Sequence, residues 1–346
     1  MDEYKPKINL RRAVLVVILA IVLMAVAGWL LSRENFNQMF EAIRNADRLL
    51  IASATAIYFV GAAIWAGRWQ TALSFIDRRI SFGNRYLILC ATVFLNNITP
   101  GARVGGDPLG RIYMLHKLEN MSYSSGMASV IGEFALTPLI VVSFLMAGLL
   151  LQFGKGSLQS SLLIIAAWAL AALGTLFVPR LFFQRRIAAK GMSRITSRVL
   201  GWFGKRENVP ETVEGIEAFY SSTYTIMDKW QKVLLIGGWT LLISAFDILR
   251  LYTIFIALGY HPQIPILLVA SSLQIIVGLV PLLPGGLVIV EGSLISVFAF
   301  LGVPLNLAMA ATVIERAISF VLSTIIGVGV FSYLGVKMAT RPNTQN

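Results

Sequence analysis

Two short runs of this sequence carry ionisable residues beside a proline–glycine step, and the second run repeats the first. Pro100-Gly101 precedes Asp107 by the same seven residues that separate Pro284-Gly285 from Glu291. Downstream, MASVIGEFA (127–135) aligns without a gap with MAATVIERA (309–317), so Glu133 and Glu315 are equivalent; upstream, Arg68 matches Arg250. The copies are displaced by 182 residues at Arg68, Met127 and Glu133 and by 184 at Pro100, a difference that two insertions in a loop reconcile. Arginine holds its charge at any accessible pH and offers a planar fork of donors that matches a phosphate or a carboxylate. An ionised group in hydrocarbon costs at least about 2.5 kcal/mol, so it faces protein or a wet cavity and marks a pathway. Glu133, Asp247, Glu291, Glu315 and Arg316 are the candidates by position. Ionisable residues duplicated inside apolar sequence read as a transporter with repeated halves. The alternative at each position is a buried acid–arginine pair that only holds helices together.

The first run, NNITPGARVGGDPLGR (96–111), is rich in glycines that free backbone N–H groups. A half-helix starting near Asp107 or Pro108 would aim its positive end into the site, and Arg103 and Arg111 add fixed charge. Together these suit a phosphate-bearing headgroup. The second run, VPLLPGGLVIVEGS (280–293), contains Pro284, Gly285, Gly286 and Glu291 but no arginine. The expected site is therefore lopsided, with an anion handled mainly by the first half and by Arg250 and Arg316. If the glycines serve packing alone, they let helices approach closely. Several catalytic readings find no support. The glycine-rich run lacks the Gly-Lys-Ser/Thr ending of a phosphate-binding loop. His116 and His261 are the only histidines and sit in no Cys/His cluster, so neither a metal nor a cofactor is expected. No serine or cysteine has a histidine spaced to activate it. Acid–base chemistry on a lipid-linked sugar by Glu133, Glu291 and Glu315 stays conceivable.

The elements that must position these residues are membrane helices. At 57% hydrophobic and 13% charged residues, with a mean hydropathy of +0.75, the chain is too apolar for a soluble fold of this length. Apolar runs predict spanning helices at 13–31, 49–67, 121–151, 158–178, 233–258 and 307–334. Two further stretches, 86–115 and 265–301, are interrupted by the proline–glycine steps and should break there. The net charge of +12 comes from basic residues in short loops beside apolar spans. That is the positive-inside pattern, and it argues against a nucleic-acid partner. Six crossings and two re-entrant hairpins put every basic loop, and both termini, on the cytoplasmic side of the cell membrane. The expected fold is thus an all-α polytopic integral membrane protein made of two inverted repeats, each with a Pro-Gly-broken re-entrant helical hairpin. Its divisions are an N-terminal span and surface helix (1–48), a first repeat (49–151), a linking span and basic loop (152–232), a second repeat (233–336) and a tail (337–346). In the basic loop, Arg186, Lys190, Arg194 and Arg198 recur every four residues; this is either an interfacial helix on anionic headgroups or an ordinary positive-inside loop. Phe36, Met39, Phe40, Ile43 and Leu50 suggest an outer surface helix that only packs.

With these motifs in hand, the chain resembles the membrane domain of the lysylphosphatidylglycerol synthetase/flippase family over about residues 50–335. The matching pieces are Arg68-Trp69, the Pro100-Gly101-Ala102-Arg103 run with Gly105, Gly106, Asp107 and Arg111, the Pro284-Gly285-Gly286 run with Glu291-Gly292, and Glu315-Arg316. The resemblance implies a polytopic domain that moves lipids, in the best-known members aminoacylated phosphatidylglycerol. Two positions depart from the pattern. Asp107 stands where glutamate is expected, and Phe134 follows Glu133 where an arginine would mirror Glu315-Arg316. The family's synthetase activity resides in a separate soluble domain that this sequence does not show, so lipid aminoacylation is not expected. The expected function is movement of an anionic or headgroup-modified lipid (aminoacylated, glycosylated or isoprenoid-phosphate) between leaflets, with membrane lipids as partners. The alternative is a membrane component of lipid-linked sugar assembly, working beside a glycosyltransferase or lipid-modifying enzyme.

Overall fold

The computed structural model describes residues 33–99, 105–134, 136–153, 230–279 and 284–340, with a few isolated positions between 162 and 173. All regular structure among them is helical. In chain order the helices are α1 (Arg33–Asn45), α2 (Arg48–Ser74), α3 (Phe82–Ile98), α4 (Arg111–Glu119), α5 (Tyr123–Glu133), α6 (Thr137–Phe153), α7 (Trp230–Ala257), α8 (Ile264–Gly278), α9 (Ile289–Phe300), α10 (Leu305–Arg316) and α11 (Ser323–Thr340). The expected spans at 13–31 and 158–178 and the basic helix near 186–198 fall outside the described residues, apart from those isolated positions. The other four expected spans are present: Arg48–Ser74, Tyr123–Phe153, Leu234–Ala257 and Leu305–Thr340 are each long and apolar enough to cross a membrane.

Two of these spans carry interruptions that hydropathy does not show. The span 123–153 divides into α5 and α6, with Phe134 capping α5 immediately after Glu133. The span 305–340 stays continuous but loosens into π-helix over Ala317–Leu322, immediately after Arg316. The disturbance follows the repeated glutamate in both. Asn97, near the end of α3, donates to the hydroxyls of Thr324 and Ser323 and to the Phe320 carbonyl, supplying a donor where the π-helix departs from regular pairing.

Both proline–glycine stretches break as expected. Between α3 and α4, the turn Gly105–Gly110 leaves helical geometry at Asp107. Asn96 Oδ1 accepts from the backbone N–H groups of Gly106 and Asp107, both at 3.0 Å, and so bends the chain back on itself. Between α8 and α9, Gly285 and Gly286 adopt φ of +62° and +71°, a region open chiefly to glycine. The helices beside the breaks are short. At 1.5 Å per residue, α3 reaches about 25 Å and α9 about 18 Å, less than a hydrocarbon core of about 30 Å. The second break packs on the end of α3, because the Gly285 α-carbon lies against the Asn97 carbonyl and the Phe320 ring.

The order long helix, broken pair, long helix occurs twice, and the halves exchange partners. Asp47, which caps α2, donates its backbone N–H to Ala257 at the end of α7, while Gly67 of α2 meets Trp239 near the start of α7. The equivalent helices α2 and α7 therefore run antiparallel. α3 of the first half packs on α11 of the second, and α8 of the second packs on α6 of the first. Close approach in both exchanged pairs depends on glycine. Gly327 brings α11 onto Cys90 and Phe94, and Gly148 brings α6 onto Pro265 and Val269. α1 lays Met39 against Met309 and Ala310 of α10, which fits the expected surface helix.

A β-carbon on Gly327 would sit 2.5 Å from Phe94 Cβ, and one on Gly106 would strike the Thr92 carbonyl, whereas Gly329 and Gly335 face open space. Gly327→Ala and Gly106→Ala should each cost about 1–3 kcal/mol through overpacking. Gly329→Ala and Gly335→Ala should be neutral or slightly stabilising, since alanine favours the helix by about 0.5–1 kcal/mol. Thermal unfolding of the four variants in one detergent checks the contrast.

Candidate functional site

The ionisable residues gather into two buried clusters, one built by each half. In the first, Arg111 at the start of α4 places Nη1 2.5 Å from Glu133 Oε1 and Nη2 2.5 Å from Asp107 Oδ1. Arg68 of α2 approaches the same Glu133 oxygen at 3.8 Å and donates to Thr240 Oγ1 of α7 at 3.3 Å. Trp65 adds its indole N–H to Glu133 at 3.1 Å. The Arg111 guanidinium lies 5.1 Å from the Trp65 ring centre and 4.8 Å from that of Trp69, so aromatic faces replace the solvation that its flat surfaces lose. Arg111 and Glu133 are fully buried and Arg68 is nearly so.

In the second cluster, Arg250 of α7 pairs with Glu315 of α10 at 3.2 Å and with Asp247, one turn back, at 3.5 Å. Gln274 of α8 donates to the same Glu315 oxygen at 3.0 Å. Arg316 pairs with Glu291 at the start of α9 at 2.5 Å and also reaches the Gly285 carbonyl at 3.1 Å, so it holds the second break directly. The Tyr58 ring covers Arg250 at 5.2 Å, and the Phe320 ring covers Arg316 at 4.9 Å.

Each cluster leaves hydrogen-bonding capacity unused inside the protein. The Nε groups of Arg68, Arg111 and Arg250, and the Oε2 atoms of Glu133, Glu291 and Glu315, are buried without a protein partner. Each of these glutamates spends one oxygen on its arginine and holds the other in reserve. Donors and acceptors of this kind can bind a polar guest by exchange, with a guest anion taking an arginine and a guest donor taking a carboxylate. A small apolar groove lies between α2, α3 and α11. It is lined by Tyr58, Trp65, Cys90, Val93, Ser323 and Ile326, among others. Tyr58 leans on Arg250 and Trp65 on Arg111, so the groove touches both clusters.

One of the two departures from the expected pattern, Phe134 in place of an arginine, is offset by Arg111. In the second half, the arginine that holds the acid of the break is Arg316, next to Glu315; in the first half it is Arg111, four residues after Asp107. The residue four after Glu291 is Ile295, and the residue next to Glu133 is Phe134. Arginine and apolar residue have thus changed places between the halves. The Phe134 ring stands 4.8 Å from the Arg68 guanidinium and 6.0 Å from that of Arg111, inside the cluster that it would otherwise help to charge.

Of the residues singled out in the sequence, Arg68, Asp107, Arg111 and Glu133 meet in the first cluster, and Arg250, Gly285, Glu291, Glu315 and Arg316 in the second. Pro284 and Gly286 form the turn of the second break. Pro100, Gly101 and Arg103 lie outside the described residues. Arg68 is buried in its cluster, on an α2 that continues past it to Ser74. Sequence reasoning assigned no role to Asn96, Asn97, Trp65, Tyr58 or Gln274. The asparagine pair before the break and the lone amide of α8 were visible as polar residues in apolar runs; the aromatic lids carry no such signal.

The family model of the lysylphosphatidylglycerol synthase TM region matches residues 15–327. Among curated relatives, a UPF0104 membrane protein of Methanothermobacter thermautotrophicus is 30% identical over 321 residues, covering 88% of this chain and 91% of its own. One from Pyrococcus horikoshii is 27% identical over 320 residues, covering 90% and 94%. The glycosyltransferase AglD of Haloferax volcanii is 24% identical over 361 residues, which is 97% of this chain but 57% of that one. No solved structure matches.

The exchange of arginine and apolar residue can be tested. Arg111→Ile alone leaves Asp107 and Glu133 short of a guanidinium and should cost about 3 kcal/mol or more, the penalty of a broken buried pair. Adding Phe134→Arg restores the arrangement of the second half, so the double variant should regain most of that loss. Thermal unfolding of wild type, both single variants and the double variant measures the coupling. Additive losses would show that the two positions are independent.

Proposed function

The chain belongs to the lysylphosphatidylglycerol synthase TM region family, and on that footing we propose that it moves a lipid with an anionic or modified headgroup between the leaflets of the cell membrane. The observation that carries the reading is the pair of buried arginine–carboxylate clusters beside the two helix breaks, each with unused donors and acceptors. In water such clusters would cost little to build. In a bilayer each charge must be compensated, so a protein that keeps nine of them here (Arg68, Asp107, Arg111, Glu133, Asp247, Arg250, Glu291, Glu315 and Arg316) uses them. A phosphate entering a cluster takes the arginine from its glutamate. The glutamate is left with Trp65 in the first half or Gln274 in the second, so the exchange strands no bare carboxylate.

The antiparallel course of α2 and α7 and the exchange of α3 and α8 between halves support the inverted-repeat topology that the basic loops demand. In this arrangement the broken pairs enter from opposite faces, the divisions at about 49–151 and 233–336 are the moving halves, and rocking of one against the other carries the headgroup between clusters. In this reading the lipid chains run beside α2, along the side of the apolar groove lined by Tyr58 and Trp65. A second reading, a membrane component of lipid-linked sugar assembly with a glycosyltransferase as partner, draws on the similarity to the glycosyltransferase AglD. The two readings differ in whether the isolated chain moves lipid.

Purified protein in liposomes containing fluorescent phosphatidylglycerol, aminoacylated phosphatidylglycerol or an isoprenoid phosphate should make the inner-leaflet dye accessible to an external quencher faster than empty liposomes do. No acceleration for any of the three would leave the partner reading standing. Arg250→Gln should slow movement, and Arg250→Lys should recover part of it, because the charge is kept and the fork is lost. If Arg250 serves only to neutralise acids, Arg250→Gln should instead unfold at lower temperature, and adding Asp247→Asn should restore stability without any change in lipid movement.

A further inference from the structure

Asn96 and Asn97 are the last polar residues before α3 ends at Ile98. Both are buried, where a side-chain amide without hydrogen-bond partners is costly. Each finds its partners in a different half of the molecule. Asn96 Oδ1 accepts from the backbone N–H groups of Gly106 and Asp107, and so holds the turn that presents Asp107 to Arg111. Asn97 Nδ2 donates to Thr324 Oγ1 at 2.9 Å and, at 3.4 Å, to Ser323 Oγ and the Phe320 carbonyl. The Phe320 ring in turn covers the Arg316 guanidinium, which binds Glu291 and the Gly285 carbonyl. The Asn97 backbone adds a second link, because a β-carbon on Gly285 would stand 3.3 Å from the Asn97 carbonyl.

The two amides act in opposite senses. Asn96 is an acceptor, with two lone pairs for two N–H groups; Asn97 is a donor, with two N–H groups for the acceptors of the π-helix and α11. Adjacent residues on a helix point about 100° apart, so one turn of α3 reaches both breaks at once. A single stretch of backbone carries both links, and a shift at either is passed to the other. The wide turn at Ala317–Leu322 is where the span 305–340 departs from α-helical pairing, and so where a pull from Asn97 is taken up. We infer that Asn96 and Asn97 are positioning residues that couple the two clusters, so that displacing Asp107 at the first break loosens Arg316 at the second. On the lipid-movement reading, on which this inference rests, a phosphate that draws Arg111 off Asp107 thereby opens the second cluster to receive it.

Hydrogen–deuterium exchange, followed by mass spectrometry on the purified chain in phosphatidylcholine nanodiscs, tests the coupling. It needs no transported lipid, so it succeeds or fails independently of lipid movement. Asp107→Asn weakens the pair with Arg111 at the first break, and Glu291→Gln weakens the pair with Arg316 at the second. Asp107→Asn should speed amide exchange over 284–292 by at least about fivefold. Glu291→Gln should do the same over 105–111, because coupling between two sites is reciprocal and typically fivefold or more. Unchanged exchange over α6 identifies a variant that remains folded. In an Asn97→Leu background both distant effects should vanish while the local ones remain. Thr324→Val keeps the shape of its side chain but removes the nearest acceptor of Asn97, so it should shrink the distant effects as well. It also decides the matter should Asn97→Leu fail to fold. Exchange that changes only at the altered break, in both directions, would overturn the inference, and so would distant effects that persist at full size in either background.

Discussion

A charge in hydrocarbon has to be compensated within the protein, and the arrangement of this molecule follows from how that is done. Glu133 is fully buried, and its Oε1 is shared by Arg111, Trp65 and, more distantly, Arg68. Those partners come from α2 and α4, so a single carboxylate fixes three helices relative to one another. Glu315 does the same in the second half, drawing Arg250 from α7 and Gln274 from α8. The breaks are tied into the same network: Asp107 through Arg111, and the Gly285 carbonyl through Arg316. Remove the charges and the close glycine contacts would still join the helices, but the non-helical turns would keep only Asn96 at the first break and packing on α3 at the second.

The halves solve one problem with different residues. In the first, the arginine rides on the short helix after the break; in the second, it follows the repeated glutamate. The consequence is chemical as well as historical. Phe134 makes the first cluster more aromatic, with Trp65 and Trp69 around Arg111, whereas the second holds Asp247 and an amide beside Arg250. On the proposed route, a headgroup passing from one to the other would exchange an arginine-and-aromatic setting for one richer in carboxylate.

Much of this could be read from the chain. The shared spacing from Pro100 to Asp107 and from Pro284 to Glu291, and the gapless match around Glu133 and Glu315, pointed to both breaks and the paired glutamates, because duplication preserves local spacing even where residue types drift. Four spans followed from hydropathy alone. What escaped was what hydropathy cannot register. The break at Phe134 and the π-helix after Arg316 leave no dip in hydropathy wide enough to read, and at the second the contact of Asn97 with Thr324 comes from a distant helix. That α2 runs past Arg68 to Ser74 was hidden too, because the chain turns polar beyond its last strongly apolar turn. The identity of each arginine's partner was also hidden: Asp247 was an obvious candidate for Arg250, one turn away, but Glu315 lies closer in space from a helix far along the chain.

The central claim is that a headgroup travels through the protein between the two clusters rather than around its lipid-facing surface. A phospholipid carrying a photoactivatable group on its headgroup, cross-linked in liposomes and mapped by peptide mass spectrometry, addresses that claim most directly. The account predicts adducts on the α2 residues from Tyr58 to Trp69 and beside Glu133 and Glu315. Adducts confined to the outward-facing Phe300, Ile325 and Val336, with none on α2 between the clusters, would contradict it.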